Sequence, residues 1–347
     1  RVADCTPYVS PQPPQEIDRG LNSNEGQGAP AALLEALEGR AADLLRRYPQ
    51  TGALESVIAE RFGLSADQVL VSAGADDALY RACLAMLGPQ REAILPIPTF
   101  EMLDRHVRLA GGSVAETKWL SGPYPTDAVV EATTDRTALI AVVTPNNPTG
   151  AVATADDLQR LRAGAPRALL LVDLAYAEFA DCDLTQAALA LPNALVVRTL
   201  SKAWGLAGLR VGFALGRPKV IRWLRSVGNP YAVSSLSAAL AAQWLAQGDQ
   251  AVDAYVQQVR DERIRLSSAL RNLGADPLPS QANFVLARFA EARDTWLELA
   301  RRGIAVRAFP EHPVLKNYLR ITCPGQPAAF SRLIEALRPV PGRRAGV

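Results

Sequence analysis

The chain has 347 residues, more than one small core and about the length of two domains. It is 49% hydrophobic and 21% charged, with 37 basic against 35 acidic residues, which excludes disorder and a basic block built for nucleic acid. Four scattered cysteines, Cys5, Cys83, Cys182 and Cys323, without a C-x-x-C, and two histidines exclude a disulfide framework and a His/Cys zinc site, so no metal is expected.

The opening carries Pro7, Pro11, Pro13 and Pro14 and is expected to be an extended arm, on the surface or on a partner subunit. Arg1 to Glu16 has no apolar signal core, and no run of 18 apolar residues occurs, so the expected place is the cytoplasm, with no membrane span. Composition predicts a helix over Ala31–Arg47. Short apolar runs then alternate with helical patterns. Seven strands are predicted: Val69–Ser72, Ala93–Pro96, Ser113–Ala115, Leu139–Val143, Ala168–Val172, Ala194–Thr199 and Val211–Leu215. Helices over Ala75–Leu87, Phe100–Ala110 and Ala155–Ala163 separate some of them. The alternation predicts βαβ units and a largely parallel sheet. The link Ser201–Arg210 is short for a parallel crossover, so Val211–Leu215 is expected to run antiparallel.

Beyond Ser234 the pattern changes. Ala232–Leu245 reads as a mostly buried helix, and helical sequence continues to about Asn272, where Gly274, Pro277 and Pro279 stop it. Strands follow at Asn283–Phe289, Ile304–Arg307 and Tyr318–Thr322, with helices at Thr295–Arg302 and Pro327–Leu337. The expected fold class is α/β: a large domain with a mostly parallel seven-stranded sheet, plus a smaller α+β domain. The expected division is an arm at 1–30, a large domain at 31–233 and a small one at 234–347, with the arm free to pack on the small domain. The tail Pro339–Val347 reads as loose.

In an open α/β sheet, ligands bind beyond the carboxyl ends of the strands. After Val69–Ser72 come Gly74, Ala75 and Asp76, whose glycine and backbone amides suit a phosphate at a helix N-terminus; the plain alternative is a helix cap. After Leu139–Val143 comes Thr144–Gly150, a good turn, in which Asn147 has an amide to offer a ring oxygen. After Ala168–Val172 comes Asp173, either a loop acid or the partner of a protonated pyridine nitrogen, and then Tyr176, within reach of a ring oxygen. After Ala194–Thr199 come Ser201 and Lys202, with Arg210 among glycines eight residues on (210 − 202). Alone, Lys202 is a solvated loop lysine. Beside a serine and an arginine that suit a phosphate, it is an amine placed to condense with an aldehyde. Four strand ends that supply phosphate donors, a ring-oxygen donor, a pyridinium acid and a lysine in order describe a pyridoxal 5′-phosphate (PLP) site.

With these residues in hand, the chain resembles the fold-type I PLP aminotransferases, and among them the histidinol-phosphate aminotransferase group, over roughly Gly20 to Leu337. The resemblance rests on Tyr48-Pro49, Ser72-Ala73-Gly74-Ala75-Asp76-Asp77, Pro98-Thr99-Phe100, Pro145–Gly150, Asp173-Leu174-Ala175-Tyr176, Ser201–Phe213, Gln281-Ala282-Asn283-Phe284 and Leu319-Arg320-Ile321-Thr322. It implies an aspartate aminotransferase-like fold and an internal aldimine at Lys202. Ser201, Arg210 and the amides of Ala75 and Asp76 would take the phosphate, Asp173 the ring nitrogen, Asn147 and Tyr176 the ring oxygen, and Phe100 would stack on the ring. Tyr48 matches a tyrosine that reaches the phosphate of a neighbouring subunit, which implies a homodimer with shared sites. Arg320 matches the arginine for the substrate carboxylate, a role that suits a planar bidentate guanidinium. Asn283 matches a substrate-side asparagine. Arg307 matches an arginine for the substrate's distal phosphate, with a plain ion pair as its other reading.

One segment departs from the family. Where its members have Asn-Glu-Asn-Pro, an aromatic or leucine, then Gly, this chain has Asn22-Ser23-Asn24-Glu25-Gly26-Gln27-Gly28. The proline and the aromatic are gone, and the segment is one residue shorter. That loop closes over the substrate side chain, so Glu25 enters as a substrate-side candidate and the donor stays open. Trp204 is bulkier than the family's usual residue and is expected to reshape the pocket. The resemblance implies transamination between an amino donor and a 2-oxo acid such as 2-oxoglutarate, in amino-acid biosynthesis. Its rivals are a decarboxylase like the threonine-phosphate enzyme, a PLP enzyme of secondary metabolism and, from another class, a non-catalytic PLP-binding regulator. No helix-turn-helix precedes residue 20, which points away from the last. His106 reads as a core or surface residue and His312 as a loop residue near the substrate arginines.

Overall fold

The computed structural model describes residues 15–338, together with positions 11 and 13. Pro7, Pro14, Cys5 and the tail from residue 339 lie outside the described residues. The first strand, β1 (Arg19–Leu21), belongs to the second of two sheets. The first sheet holds β2 (Val69–Ser72), β3 (Glu92–Ile97), β4 (Ser113–Lys118), β5 (Thr137–Val143), β6 (Leu169–Asp173), β7 (Ala194–Thr199) and β8 (Gly212–Gly216). Its order is β2-β8-β7-β6-β5-β3-β4. All its pairings are parallel except those of β8, which runs antiparallel to both β2 and β7. The short Ser201–Arg210 link therefore does reverse the chain.

Strands β2, β5, β6, β7 and β8 are buried along their whole length, which is why they read as continuous apolar runs. Their side chains alternate between two cores. Leu139, Ala141 and Val143 of β5 face one layer, Ile140 and Val142 the other. Strand β4 lies at the edge and keeps charged residues exposed at Glu116 and Lys118. That polarity hid its second half from the sequence reading, which stopped at Ala115.

The second sheet joins β1 to β9 (Asp276–Pro277), β10 (Phe284–Arg288), β11 (Ile304–Ala308) and β12 (Tyr318–Thr322), in the order β1-β11-β12-β10-β9. Strand β1 runs parallel to β11, and the other pairings are antiparallel. The chain thus starts in the sheet that it later completes. Two expected helices are corrected. Ala31–Arg47 is a 3-10 helix at Ala31–Leu37 and a short α-helix at Ala41–Arg46, parted at Gly39, whose φ of 68° is left-handed. The long helical region beyond Ser234 is Ser235–Gln247 and Asp249–Asn272, parted at Gly248. No described helix is long and apolar enough to cross a membrane.

Candidate active site

The carboxyl ends of β2, β5, β6 and β7 open on one cavity of about 430 Å³. Ala75, Asp76, Phe100, Asn147, Asp173, Tyr176, Ser201, Lys202, Arg210 and Arg320 all line it, with Asn22, Ser23 and Asn24 from the loop after β1.

At one end the helix Ala75–Met86 points its N-terminus into the cavity behind Gly74. The turn is held from within: Gly74 N–H donates to Ser72 O at 2.8 Å, and Ser72 Oγ donates to Gly74 O at 2.9 Å. Asp76 and Asp77 both lie in the first turn of the helix; the Asp77 carboxylate accepts from Ala73 N–H at 3.0 Å and pairs with Arg81. Asp76 is left facing Arg210 and Lys202; burial pushes its carboxyl up, against the pull of both cations. Arg210 takes a left-handed backbone (φ 53°), which a side chain tolerates at a cost of about 1–3 kcal/mol. Its guanidinium donates to Ala207 O at 3.1 Å and, at 3.5 Å, to Ser201 Oγ. A Cβ on Gly74 would stand 2.7 Å from Arg210 Nη2, and one on Gly212 would stand 2.4 Å from Ala75 N. Bare backbone at both positions lets the helix end, the serine and the arginine close on one point. Such a set suits a phosphate.

In the middle, Asp173 ends β6 with 4% of its surface exposed, and accepts from Ala175 N–H at 3.0 Å. Burial pushes its carboxyl up to about 7; the Ala175 bond and Lys202 work against this, and Asp76 works with it. Tyr176 sets its ring edge-on to Phe284, centroids 5.3 Å apart. Its hydroxyl accepts from Asn24 Nδ2 at 2.9 Å, so its own proton is available to another acceptor. Lys202 Nζ donates to Ser23 O at 3.0 Å and lies 5.7 Å from the Tyr176 ring centre. Burial, and after it Arg320, pushes the Lys202 ammonium down to about 8, against Glu25 and Asp76. At pH 7 roughly one side chain in ten is then a free amine, against well under one in a thousand for an ordinary lysine.

At the far end Arg320 of β12 donates to Asn22 O at 2.6 Å and to Asn147 Oδ1, with its guanidinium carbon 5.2 Å from the Phe284 ring centre. These two acceptors are neutral groups, and a carboxylate would be a stronger one than either.

A model of the class I and II aminotransferases matches residues 17–337. The chain belongs to that family. A histidinol-phosphate aminotransferase of Granulibacter bethesdensis is 34% identical over 334 residues, 92% of this chain and 88% of that protein. Among solved structures, histidinol-phosphate aminotransferase of Sinorhizobium meliloti in complex with pyridoxal-5′-phosphate superposes with a TM-score of 0.84 at 24% identity, covering 93% of this chain and 90% of that one. L-Threonine-O-3-phosphate decarboxylase of Porphyromonas gingivalis superposes with a TM-score of 0.79 at 23% identity, over 92% and 98%. Both structural likenesses are of fold alone. This aminotransferase is a PLP-dependent transaminase, and its cavity offers the donor set that PLP requires: an anion pocket, a carboxylate and an amine.

The aminotransferase brings most of the expected residues together. Phe100 stands at the cavity wall as the residue before the helix Glu101–Leu109. Asn283 is fully buried and donates to Asn24 O at 3.2 Å. Arg307 pairs with Glu101 at 2.9 Å, in a hollow that adjoins the cavity. Three residues sit elsewhere. Glu25 is exposed and does not line the cavity; its neighbour Asn24 does. Tyr48 is exposed and stacks on Tyr231, centroids 4.7 Å apart. Trp204 does not line the cavity either: its indole donates to Glu178 at 3.3 Å and its carbonyl accepts from Trp244, so it anchors the lysine loop from behind. His106 is a core residue against Tyr80, pushed by burial down to about 4. His312 Nδ1 accepts from the amides of Val314 and Leu315, a loop-shaping role.

The residue the sequence reading missed is Asn24. It is 1% exposed, with a left-handed φ of 55°. It donates to Tyr176, accepts from Thr322 Oγ1 at 2.8 Å and offers its carbonyl to Asn283. One residue thus ties together ring-side Tyr176, the end of β12 and the residue that leads into β10. The signal was an asparagine pair in a glycine-rich segment, which the sequence reading took as a departure from its relatives.

Proposed function

We propose that the aminotransferase takes an amino acid or amino-phosphate donor and a 2-oxo acid such as 2-oxoglutarate in turn at this one cavity, with Lys202 as the proton carrier. The observation that carries the reading is the Lys202 amine, brought down to about 8 in a cavity that Asp173 and Arg320 also line.

Bound here, PLP supplies an aldehyde for amines and a ring that accepts the electron pair left at the substrate's Cα. Gly74, Ala75, Asp76, Ser201 and Arg210 would hold its phosphate. Asn147 and Tyr176 would donate to its ring oxygen, Phe100 would cover its face, and the buried Asp173 would keep the ring nitrogen protonated. That pairing draws the Asp173 carboxyl back down from about 7, because a cation then stands beside it. Arg320 and Asn147 hold the substrate carboxylate and so orient Cα. Lys202, as a neutral amine, would take the proton from Cα and then, as the acid, give it to the cofactor's former aldehyde carbon. Two half-reactions at one site give ping-pong kinetics.

The large region at 31–233 supplies the lysine and the region from 234 supplies Arg320 and Asn283, which supports the two-domain division. Exposed, stacked Tyr48 and Tyr231 suit a homodimer in which Tyr48 serves the partner's phosphate. A sedimenting species of twice the chain mass is expected, and a fully active monomer is contrary. Free thiols at Cys83, Cys182 and Cys323 suit the cytoplasm.

The test of the chemistry is multiple-turnover formation of glutamate from 2-oxoglutarate across a panel of amino donors, followed by mass spectrometry. Lys202→Ala is expected to lower it on the order of 10³-fold or more. Full turnover by that variant, or carbon dioxide release without glutamate in the parent protein, contradicts the proposal.

A further inference from the structure

One cross-strand pair grips Tyr176. Phe284 of β10 and Thr322 of β12 stand opposite each other in register, so both project from the same face of the sheet. The Phe284 ring meets the Tyr176 ring edge-on, with centroids 5.3 Å apart. Thr322 reaches the Tyr176 hydroxyl at one remove, through Asn24. Thr322 Oγ1 donates to Asn24 Oδ1 at 2.8 Å, and Asn24 Nδ2 donates to the Tyr176 hydroxyl at 2.9 Å. All four residues are buried, none more than 4% exposed.

The direction of this chain of bonds decides what Tyr176 offers a ligand. A phenol has one proton to give and two lone pairs to fill. With Asn24 donating to it, Tyr176 keeps its proton for an acceptor in the cavity. Turned over, the Asn24 amide would set Oδ1 against the phenol and take that proton. Thr322 decides between the two. Among the described residues its hydroxyl has one hydrogen bond, to Asn24, so in the turned arrangement its own proton would be buried without an acceptor, a costly state away from water. Successive donors that point one way also strengthen one another. The backbone suits asparagine as well: the φ of Asn24 is 55°, which asparagine adopts more readily than most residues, and its carbonyl is held by Asn283 Nδ2 at 3.2 Å.

We propose that Thr322 and Asn24 are positioning residues of the cofactor site: together they fix the direction of the hydrogen bond at Tyr176, so that its phenol donates to the ring oxygen of bound PLP. The proposal rests on the reading of Tyr176 as a ring-oxygen donor.

The test is the pH midpoint of the absorbance change of the PLP-loaded protein. That change follows loss of the proton between the Lys202 nitrogen and the ring oxygen, which leaves full negative charge on the oxygen. A donor to the oxygen favours this charged form and keeps the midpoint low. Thr322→Val keeps the side chain's shape and suits a strand, but removes the hydroxyl. It is expected to raise the midpoint by about half a pH unit or more, and Thr322→Ser to stay within about 0.2 unit of the parent. In backgrounds that break the chain of bonds further on, Asn24→Gly or Tyr176→Phe, adding Thr322→Val is expected to shift the midpoint by less than about 0.2 unit. The charged groups about Tyr176, namely Asp76, Asp173, Lys202 and Arg320, are untouched by these variants. A midpoint unchanged by Thr322→Val but raised by Tyr176→Phe overturns the proposal. So does an equal rise from Thr322→Val in the Tyr176→Phe background, which marks a structural effect. A midpoint unchanged by Tyr176→Phe overturns the underlying reading, and the proposal with it.

Discussion

Asp173 is a carboxylate placed where water cannot serve it. Burial holds it up to about 7, whereas an unfolded chain holds an aspartate near 4. Between those values the folded, cofactor-free protein binds a proton that the unfolded chain has released. The contribution of Asp173 to stability therefore falls as pH rises from about 4 to about 7, and is flat beyond. Asparagine carries no such penalty. In cofactor-free protein, the stability of Asp173→Asn relative to the parent, followed by thermal melting, should improve from pH 5 to pH 8, by on the order of 2 kcal/mol. The same variant should lose most of its transaminase activity. A stability difference that does not move with pH contradicts the account of Asp173. Its role was legible in the sequence because it follows an apolar strand directly. Asn24 was not, because its partners Tyr176, Asn283 and Thr322 lie 152, 259 and 298 residues away. No local pattern encodes pairings of that span. Glu101 on Arg307, 206 residues apart, was hidden in the same way.

The working unit at the next scale is the strand end followed by a helix start. The turn Ser72–Ala75 delivers a helix N-terminus, and antiparallel β8 returns Gly212 against it. Gly74→Ala would pay for a left-handed alanine and also drive its Cβ to 2.7 Å from Arg210 Nη2. PLP affinity, followed by absorbance titration, should weaken on the order of 10-fold or more, given the charge-assisted bonds at stake. Gly39→Ala is the control: it also places an alanine at positive φ, 68°, but its Cβ meets nothing within 4 Å. It should leave PLP affinity unchanged. Equal effects from the two variants contradict the close-approach argument. The buried strands were readable from sequence because burial on both faces makes them continuously apolar. Edge strand β4 was read short, since its exposed residues follow solvent and not the sheet. The break at Gly39 was missed because helix-forming residues flank it on both sides.

Across the whole molecule, the site needs both sheets and the segment that joins them. The seven-stranded sheet gives Asp76, Asn147, Asp173 and Lys202; the five-stranded sheet gives Arg307 and Arg320. Strand β1 pairs with β11, and the loop after it lays Asn22, Ser23 and Asn24 across the cavity between them. The loop also packs on the lysine segment, since a Cβ on Gly26 would stand 1.9 Å from Lys202 O. Motifs at strand ends revealed the cofactor half of this assembly. The substrate half depends on register and on contacts across the chain, and there the sequence supplied residue types without partners. The central claim is that Lys202 is the amine that takes the aldehyde. Borohydride reduction of the PLP-loaded protein, followed by peptide mass mapping, tests it most directly. The account predicts a phosphopyridoxyl mass on the peptide that carries Lys202; the label on Lys118, Lys219 or Lys316, or on no lysine, would contradict it.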